Sequence, residues 1–121
     1  MESLLEISKK LSERVSALTF AEPVRYVYNP LDYAWDVHRR YVQNFLCAPK
    51  EVVLVGMNPG PWGMAQNGVP FGERDAVQNW MGLNGEVRKP AQEHPKRPIE
   101  GFSCRRSEVS GRRLWAFAAE E

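Results

Sequence analysis

An apolar run that passes directly into a loop rich in glycine and proline sets the strongest limits on this fold. Residues 52–72, VVLVGMNPGPWGMAQNGVPFG, hold five glycines and three prolines after four consecutive apolar residues. The run 51–55 is short, β-branched and bounded by Pro49 and Gly56, which is typical of a strand buried on both faces. Because amphipathic helical patterns lie on both sides of this run, we predict an α/β fold with a parallel central sheet.

The loop that follows the predicted strand is a candidate ligand site, because ligands of parallel α/β folds bind beyond the carboxyl ends of the strands. Its segment Asn58-Pro59-Gly60-Pro61 predicts a type II turn, with a positive φ at Gly60. Connecting loops are usually polar, whereas this loop carries five large apolar residues, as pocket walls do. These are Met57, Trp62, Met64, Val69 and Phe71. The loop is no Walker A motif, since no Gly-Lys-Ser/Thr follows, and its glycine spacing excludes a dinucleotide fingerprint.

Helical patterns occupy much of the remaining chain. Ser3 and Glu6 have the spacing of a capping box at the start of a helix, and Ser110 is a candidate cap for the last one. The predicted elements are helices over 4–18, 31–46, 75–81 and 111–121, a short strand over 24–28 and an irregular loop over 84–106.

The chain length favours one domain. With 121 residues, 43% of them hydrophobic, we expect a single domain spanning 1–121 around one core. A parallel sheet normally needs about four strands, and the sequence offers at most two. The sequence also ends inside its last predicted helix, with no capping residue beyond it. We therefore expect an α/β domain whose sheet is incomplete in this chain and which is truncated at its C-terminus.

Cysteine and histidine usage argues against a metal centre. Cys47 and Cys104 lie far apart and cannot supply the four thiolates of an iron–sulfur cluster or a Cys-rich zinc site. His38 shares a helix face with apolar residues, which indicates a packed structural histidine, and His94 has no ligand partner nearby. No apolar run approaches the roughly 18 residues of a membrane span, and no signal peptide is evident. We expect free thiols, no metal, no membrane partner, and a location in the cytoplasm of a bacterium or the nucleus of a eukaryote.

Charge is distributed unevenly, although the formal net charge is only +1. Residues 88–113 contain eight basic and three acidic side chains, a local excess of five positive charges. Such a segment is either a solvated face or the electrostatic footprint of nucleic-acid binding. Charge alone leaves both interpretations open.

Four stretches, in order along the chain, resemble one enzyme family. They are YNPLDYAWDVHRRYV at 28–42, GMNPGPWGMAQNGVPFG at 56–72, QEHPKRPIEGF at 92–102 and SEVSGRRLWAF at 107–117. Each is similar to a stretch of the single-strand-selective monofunctional uracil-DNA glycosylases, and 56–72 resembles their first active-site motif. The resemblance implies a base-excision repair enzyme with a three-layer α/β/α fold. Trp62 and Asn67 depart from the family, whose members often have Phe and Thr at these positions.

The resemblance also implies a mechanism, in which a deoxyuridine is flipped out of DNA and its N-glycosidic bond is hydrolysed. Asn58 matches the catalytic position that places the attacking water, and Phe71 matches the residue that stacks on the flipped base. The expected substrate-binding residues are Met57, Gly60, Met64 and Phe71, and the expected DNA-binding residues are Lys96, Arg97, Ser107, Ser110 and Arg112. The implied enzyme is a monomer without metal or organic cofactor that acts on uracil-containing DNA, single- or double-stranded.

Other functions stay open beside an active glycosylase. The family pattern continues with a uracil-reading asparagine and a His-Pro-Ser loop, and neither has a counterpart in these residues; His94-Pro95 belongs to the 92–102 stretch. The alternatives are therefore an inactive glycosylase fragment and a non-catalytic nucleic-acid-binding protein. Gly60-Pro61-Trp62-Gly63 has the G-x-x-G spacing of the KH RNA-binding clamp. The preferred damaged base is open too, since related pockets accept oxidised pyrimidines or deaminated purines.

Overall fold

The computed structural model describes residues 2–120, and within them the secondary structure is helical. The α-helices are α1 (Leu4–Ser16), α2 (Pro30–Tyr33), α3 (Trp35–Phe45), α4 (Met64–Asn67) and α5 (Val109–Ala119). A π-helical segment covers Ala76–Trp80, and a 3₁₀ turn covers Gly101–Ser103. None of these helices is long and apolar enough to cross a membrane.

The predicted strands at 24–28 and 51–55 do not form in this structure, and no parallel sheet is present among residues 2–120. A strand is stable only when its backbone groups pair with a neighbouring strand, and the described part of the chain brings none beside either run. The run 52–55 is therefore an exposed extended segment, and Val55 retains 86% of its accessible surface. The β-branched pattern predicted a local preference, whereas the pairing depends on distant residues.

Helix α1 begins with the predicted capping box. The Ser3 hydroxyl accepts from the Glu6 amide at 3.2 Å, and the Glu6 carboxylate accepts from the Ser3 amide at 2.8 Å. The helix ends at Ser16, two residues before the predicted end. Ser12 of this helix is buried, and the side-chain amide of Asn29 donates to the Ser12 carbonyl at 3.0 Å and to the Ser16 hydroxyl at 2.8 Å.

The helix predicted over 31–46 forms as two helices, because the backbone breaks at Ala34, with φ −110° and ψ 25°. Asn29 caps α2 by accepting from the Leu31 amide at 3.1 Å. The break turns α2 so that the Tyr33 hydroxyl donates to the Ala65 carbonyl in α4. Ala34 lies tightly against Gly68, where an added Cβ would come within 2.9 Å of the Ala34 carbonyl.

The core joins α3 to the second half of the glycine-rich loop. One buried cluster consists of Val37, Val69, Val77 and Leu83, and a second consists of Tyr33, Ala34 and Ile99. Both clusters combine helical residues with residues from loops, and the 92–102 stretch reaches the core through Ile99. The second half of the loop is therefore part of the folded core.

The C-terminal elements differ from their predictions in detail. The helix predicted over 75–81 forms mainly as the π-helical segment, and Gly82 follows it with φ +69°. Helix α5 begins at Val109 after Glu108, so Ser110 lies inside the helix and does not cap it. The end of that predicted helix, residue 121, lies outside the described residues. The loop over 84–106 is irregular as predicted, apart from the 3₁₀ turn.

Candidate functional site

The second half of the glycine-rich loop is held by two buried amide side chains. Asn67 donates to the Gly72 carbonyl at 2.7 Å and accepts from the Val69 amide at 3.0 Å. Gln66 donates to the carbonyls of Pro61 and Pro98, each at 3.1 Å, and accepts from two amides of the 92–102 stretch. Buried amides with all these partners restrict the loop to one conformation. Sequence reasoning missed Gln66 and noted Asn67 only as a departure from the family.

The predicted type II turn at Asn58-Pro59-Gly60-Pro61 is wrong, because the glycines with positive φ in residues 2–120 are Gly68, Gly82 and Gly101. The proline at 61 explains the difference. A residue before proline is restricted to extended conformations, and proline has no amide to close the turn. The loop instead turns after Gly60, whose carbonyl accepts from the Gly63 amide at 3.2 Å and the Ala65 amide at 3.0 Å.

One cavity, here called the loop cavity, brings the predicted catalytic and substrate-binding residues together. It has a volume of about 560 Å³. Its lining includes Met57, Asn58, Gly60, Met64 and Phe71, together with Glu108 and Ser110 from the start of α5. A volume of this size is within the range of small-molecule sites. Residues from two distant parts of the sequence thus face the same space.

Phe71 has an unusual backbone that fixes the direction of its ring. Its φ is +53°, in the left-handed region that costs a non-glycine residue on the order of 1 kcal/mol. Two hydrogen bonds hold its carbonyl, from the Trp115 indole at 2.7 Å and the Glu73 amide at 2.8 Å. Gly111 of α5 lies directly on that carbonyl, with no room for a Cβ. Strained residues held in this way are frequent at ligand sites.

Asn58 and Met57 lie at the open end of the loop cavity. Met57 is 97% exposed, and Asn58 is also exposed. The Asn58 side chain donates to the Pro59 carbonyl at 3.2 Å, a contact with its own neighbour. An amide orients a water molecule by hydrogen bonding but has no useful basicity. Asn58 is therefore suited to orienting a water molecule. Within the described residues, its exposed side chain is held by a hydrogen bond to its chain neighbour.

Glu108 is a lining residue that sequence reasoning missed. Its Oε2 atom is buried, has no hydrogen-bond partner among the described residues, and fills the space that a Cβ on Gly60 or Gly63 would need. Burial raises the pKa of this carboxyl; the nearby Gly111 amide opposes the shift and the charge of Glu73 adds to it. A contact between residue 108 and two glycines near residue 60 has no local sequence signal.

The predicted DNA-binding residues lie in several separate places. Ser110 faces the loop cavity, whereas Ser107 donates to the Glu73 carboxylate at 3.0 Å. Arg112 lines another pocket, together with Asp75. Lys96 and Arg97 line a separate groove. The five residues therefore do not form one continuous surface.

The basic segment 88–113 divides into a paired part and an unpaired part. Arg88 forms an ion pair with Asp32 at 3.0 Å, and Lys89 forms one with Glu93 at 3.3 Å. In the part of the chain that the structure describes, no ion pair involves a basic residue of this segment after position 89. The unpaired cations are the ones available to a negatively charged ligand.

The predicted structural histidine and free thiols are confirmed. His38 is buried, with Nδ1 at 2.9 Å from the Gly68 carbonyl and Nε2 at 3.1 Å from the Ser8 hydroxyl. Burial lowers the pKa of this imidazole, although its contact with Gly68 opposes the shift. Cys47 and Cys104 are both free. Residues 2–120 contain no group of three or more His, Cys, Asp or Glu side chains placed to hold a metal.

Three mammalian proteins are among the relatives that comparison with known proteins finds. Single-strand selective monofunctional uracil-DNA glycosylases of rat and mouse are each 55% identical over 116 residues, which cover 96% of this chain. The protein of that name from cattle is 53% identical over the same length. The chain spans 42% of the length of the rat and mouse proteins and 43% of the bovine one, and matches their N-terminal portion. No protein-family model matches the chain.

Proposed function

Since the chain belongs to the single-strand selective monofunctional uracil-DNA glycosylase family, we propose that it supplies part of the active site of a uracil-DNA glycosylase in base-excision repair. The loop cavity carries this proposal, because it brings Asn58 and Phe71 to one space. The relatives are named for this activity, and the motif that resembles the family lines the cavity.

The proposed reaction is hydrolysis of the bond between C1′ of deoxyribose and N1 of uracil. Asn58 orients a water molecule toward C1′. The glycosidic bond breaks, its electron pair leaves with uracil as an anion, and the water oxygen forms a new bond to C1′. The water loses a proton to solvent, and the uracil anion takes one up. Asn58 has no amine that forms a Schiff base, so the reaction ends at an abasic site without strand cleavage.

Phe71 has a separate role in this proposal. Its ring stacks on the uracil after the base has been extruded from the strand, a contact worth roughly 1–3 kcal/mol. The backbone of Phe71 is already held by Trp115 and Glu73, so the ring needs little reorganisation on binding. Met57, Gly60 and Met64 form the wall around the base and sugar.

We also propose that residues 1–121 belong to one layered α/β/α domain. In that domain the exposed run 52–55 is a strand, and its valines are covered by sheet and helix neighbours. The support is the exposure of Val52, Val53 and Leu54, which is costly for apolar side chains at about 25 cal/mol per Å². The KH alternative has less support, because Gly60-Pro61-Trp62-Gly63 follows an extended segment instead of joining two helices.

Uracil release from a labelled single-stranded oligonucleotide, developed by hot alkali, tests the proposed function. The protein expressed from its complete reading frame is compared with its Asn58→Ala variant and with Asn44→Ala, a control at an exposed asparagine of α3. We expect Asn58→Ala to lower the rate by at least about a hundredfold, since positioning contributes this much or more, and Asn44→Ala to leave it unchanged. A cooperatively folded protein without uracil release, or equal rates in all three, would overturn the proposal.

A further inference from the structure

A second groove lies beside the loop cavity and is lined by aromatic and basic residues. It has a volume of about 780 Å³, and its lining includes Tyr26, Tyr28, His94, Lys96 and Arg97. The Tyr26 and His94 rings meet edge to face, with centroids 5.1 Å apart. None of the predicted catalytic or base-binding residues lines this groove.

Hydrogen bonds fix the two walls of the groove to each other. The Tyr28 hydroxyl donates to the Arg97 carbonyl at 2.6 Å and accepts from the His94 amide at 2.7 Å. Inside the second wall, the Lys96 amide donates to His94 Nδ1 at 2.9 Å. The side chains of Lys96 and Arg97 stay exposed, so the backbone is held while the cations face outward.

The groove continues into the glycine-rich loop. Tyr26, Tyr28 and Arg97 also line a cavity of about 410 Å³ whose other wall includes Asn58 and Pro59. Asn58 in turn lines the loop cavity. A flexible polymer with one unit in the loop cavity can therefore lay its next units along Tyr26 and Arg97.

The charges of the groove suit a polyanion. Lys96 and Arg97 take part in no ion pair within residues 2–120. Arg25 also lines the groove. Its Nε lies 3.7 Å from a carboxylate oxygen of Glu22, and both side chains are highly exposed, so this ion pair is weak. Arg97 also lies over the Trp62 ring, at 5.5 Å from its centroid. Cations alternating with exposed rings are typical of surfaces that bind single-stranded nucleic acid.

We propose that this groove binds the single-stranded DNA that adjoins the damaged nucleotide. Phosphates lie against Lys96 and Arg97, and an unpaired base packs on the exposed Tyr26 ring. Duplex DNA keeps its bases stacked inside the helix, so a ring contact of this kind selects for the single strand. The assignment to DNA rests on the proposed function, whereas the polyanion track itself rests on the geometry and charge of the groove.

Binding of a fluorescent single-stranded oligonucleotide without uracil, measured by anisotropy, tests the groove apart from catalysis. The variants of the protein are Tyr26→Leu, which removes the ring, and Tyr26→Phe, which keeps it. Phe20→Leu is the control, because Phe20 is an exposed ring outside the groove. We expect Tyr26→Leu to weaken single-strand binding about fivefold to a hundredfold, with Tyr26→Phe and the control unchanged. The proposal would be overturned if Tyr26→Leu bound the single strand as tightly as the unmodified protein does. It would also be overturned if this variant lost as much affinity for duplex DNA as for the single strand.

The cationic part is tested by the salt dependence of the same binding. Arg97→Ala should reduce the slope of log K against log salt by about 0.7, the value for one phosphate of a single strand. Arg14→Ala, at an exposed basic residue of α1 outside the groove and outside the basic segment, is the matched control and should leave the slope unchanged. Equal slopes for all three proteins would contradict the proposed phosphate contact in the groove. If RNA of the same sequence bound more tightly than DNA, and if this binding depended on Tyr26, the assignment of the groove to DNA would be contradicted.

Failure of this inference and failure of the proposed function give different results. If the groove does not bind DNA but the proposed function is right, the protein releases uracil. The Tyr26→Leu variant then binds the oligonucleotide and releases uracil as the unmodified protein does. If the function is wrong, no uracil is released, yet Tyr26-dependent binding persists. If both hold, Tyr26→Leu raises KM on a long oligonucleotide and leaves kcat and the excision of a trinucleotide unchanged.

Discussion

The two ends of the glycine-rich loop differ sharply in how they are supported. Residues 66–72 lie in the core, where Val69 is fully buried and Asn67 makes two hydrogen bonds. Residues 56–59 continue an exposed extended run, and Met57 is 97% exposed. Phe71 belongs to the buried end, 66–72, and is held in place by contacts within this chain. Asn58 belongs to the exposed end, 56–59, and its position depends on the parts of the protein that cover the run 52–55.

Because of this difference, the proposed base recognition and the proposed catalysis depend on differently supported parts of the loop. The backbone of Phe71, whose ring is proposed to hold the base, is fixed within residues 2–120 by the Trp115 indole of α5 and the Glu73 amide. Among the described residues, the side-chain amide of Asn58, which is proposed to place the water, makes one hydrogen bond, to its neighbour Pro59. The chain thus contains a preorganised half of the site and a half that requires further support.

The largest expected effect is that of Gly72→Ala at the buried end. A Cβ there would overlap the Asn67 amide and the Val69 carbonyl, and the latter is backbone that cannot move aside. We expect the free energy of unfolding to fall by about 2–3 kcal/mol, as for overpacked cores. Urea unfolding followed by circular dichroism measures it. Gly56→Ala at the exposed end, where the added Cβ would be 3.2 Å from the Phe71 ring, should cost far less.

Removing the Asn67 side chain sharpens the comparison. Asn67→Ala leaves the Gly72 carbonyl and the Val69 amide without partners in a buried place. Each unsatisfied group costs about 1–3 kcal/mol, and relaxation recovers part of this, so we expect a loss of about 2 kcal/mol. Asn44→Ala on the surface of α3 serves as the control in the same unfolding experiment. Equal stability of the two variants would mean that the buried end is not fixed by Asn67.

Glu108 contacts the loop between its two ends, and its effect should depend on pH. Because the fold raises the pKa of this carboxyl, its protonated form contributes stability below the ordinary value of 4.5, and that contribution is lost as pH rises through the folded-state value. Glu108→Gln is neutral at every pH. We therefore expect its melting temperature, relative to the unmodified chain, to be higher at pH 7 than at pH 4. Glu51→Gln, an exposed control, should show no such trend; a larger gain at pH 4 would contradict the burial of Glu108.

The smallest effect is expected in the exposed run. Val55→Thr in the 121-residue chain should change the free energy of unfolding by less than about 0.5 kcal/mol, as for other exposed positions. Val69→Thr is the matched change at the buried end. It should lower the free energy of unfolding by much more than Val55→Thr does, since it places a hydroxyl in the core. Similar losses for the two variants in urea unfolding would break the comparison between the two ends.

Structural features whose determinants lie close together along the chain were predicted correctly more often than features that depend on distant residues. The capping box of α1 and the structural role of His38 were predicted because their determinants lie within one or two helical turns. The α/β sheet was not confirmed, since the pairing of 51–55 depends on distant residues. The type II turn failed because Pro61 restricts Gly60 more strongly than the turn pattern favours a positive φ. Glu108 was missed because its partners lie more than forty positions away along the chain.

The division of labour between Asn58 and Phe71 is the central claim, and single-turnover excision measured together with the Kd for a uracil-containing single strand tests it most directly. In the protein from its complete reading frame, Asn58→Ala should lose at least about a hundredfold in rate with little change in Kd. Phe71→Leu should weaken Kd by about fivefold or more, through the lost stacking. Uracil release by Asn58→Ala at the unmodified rate, or a loss of affinity as large as its loss of rate, would contradict the account.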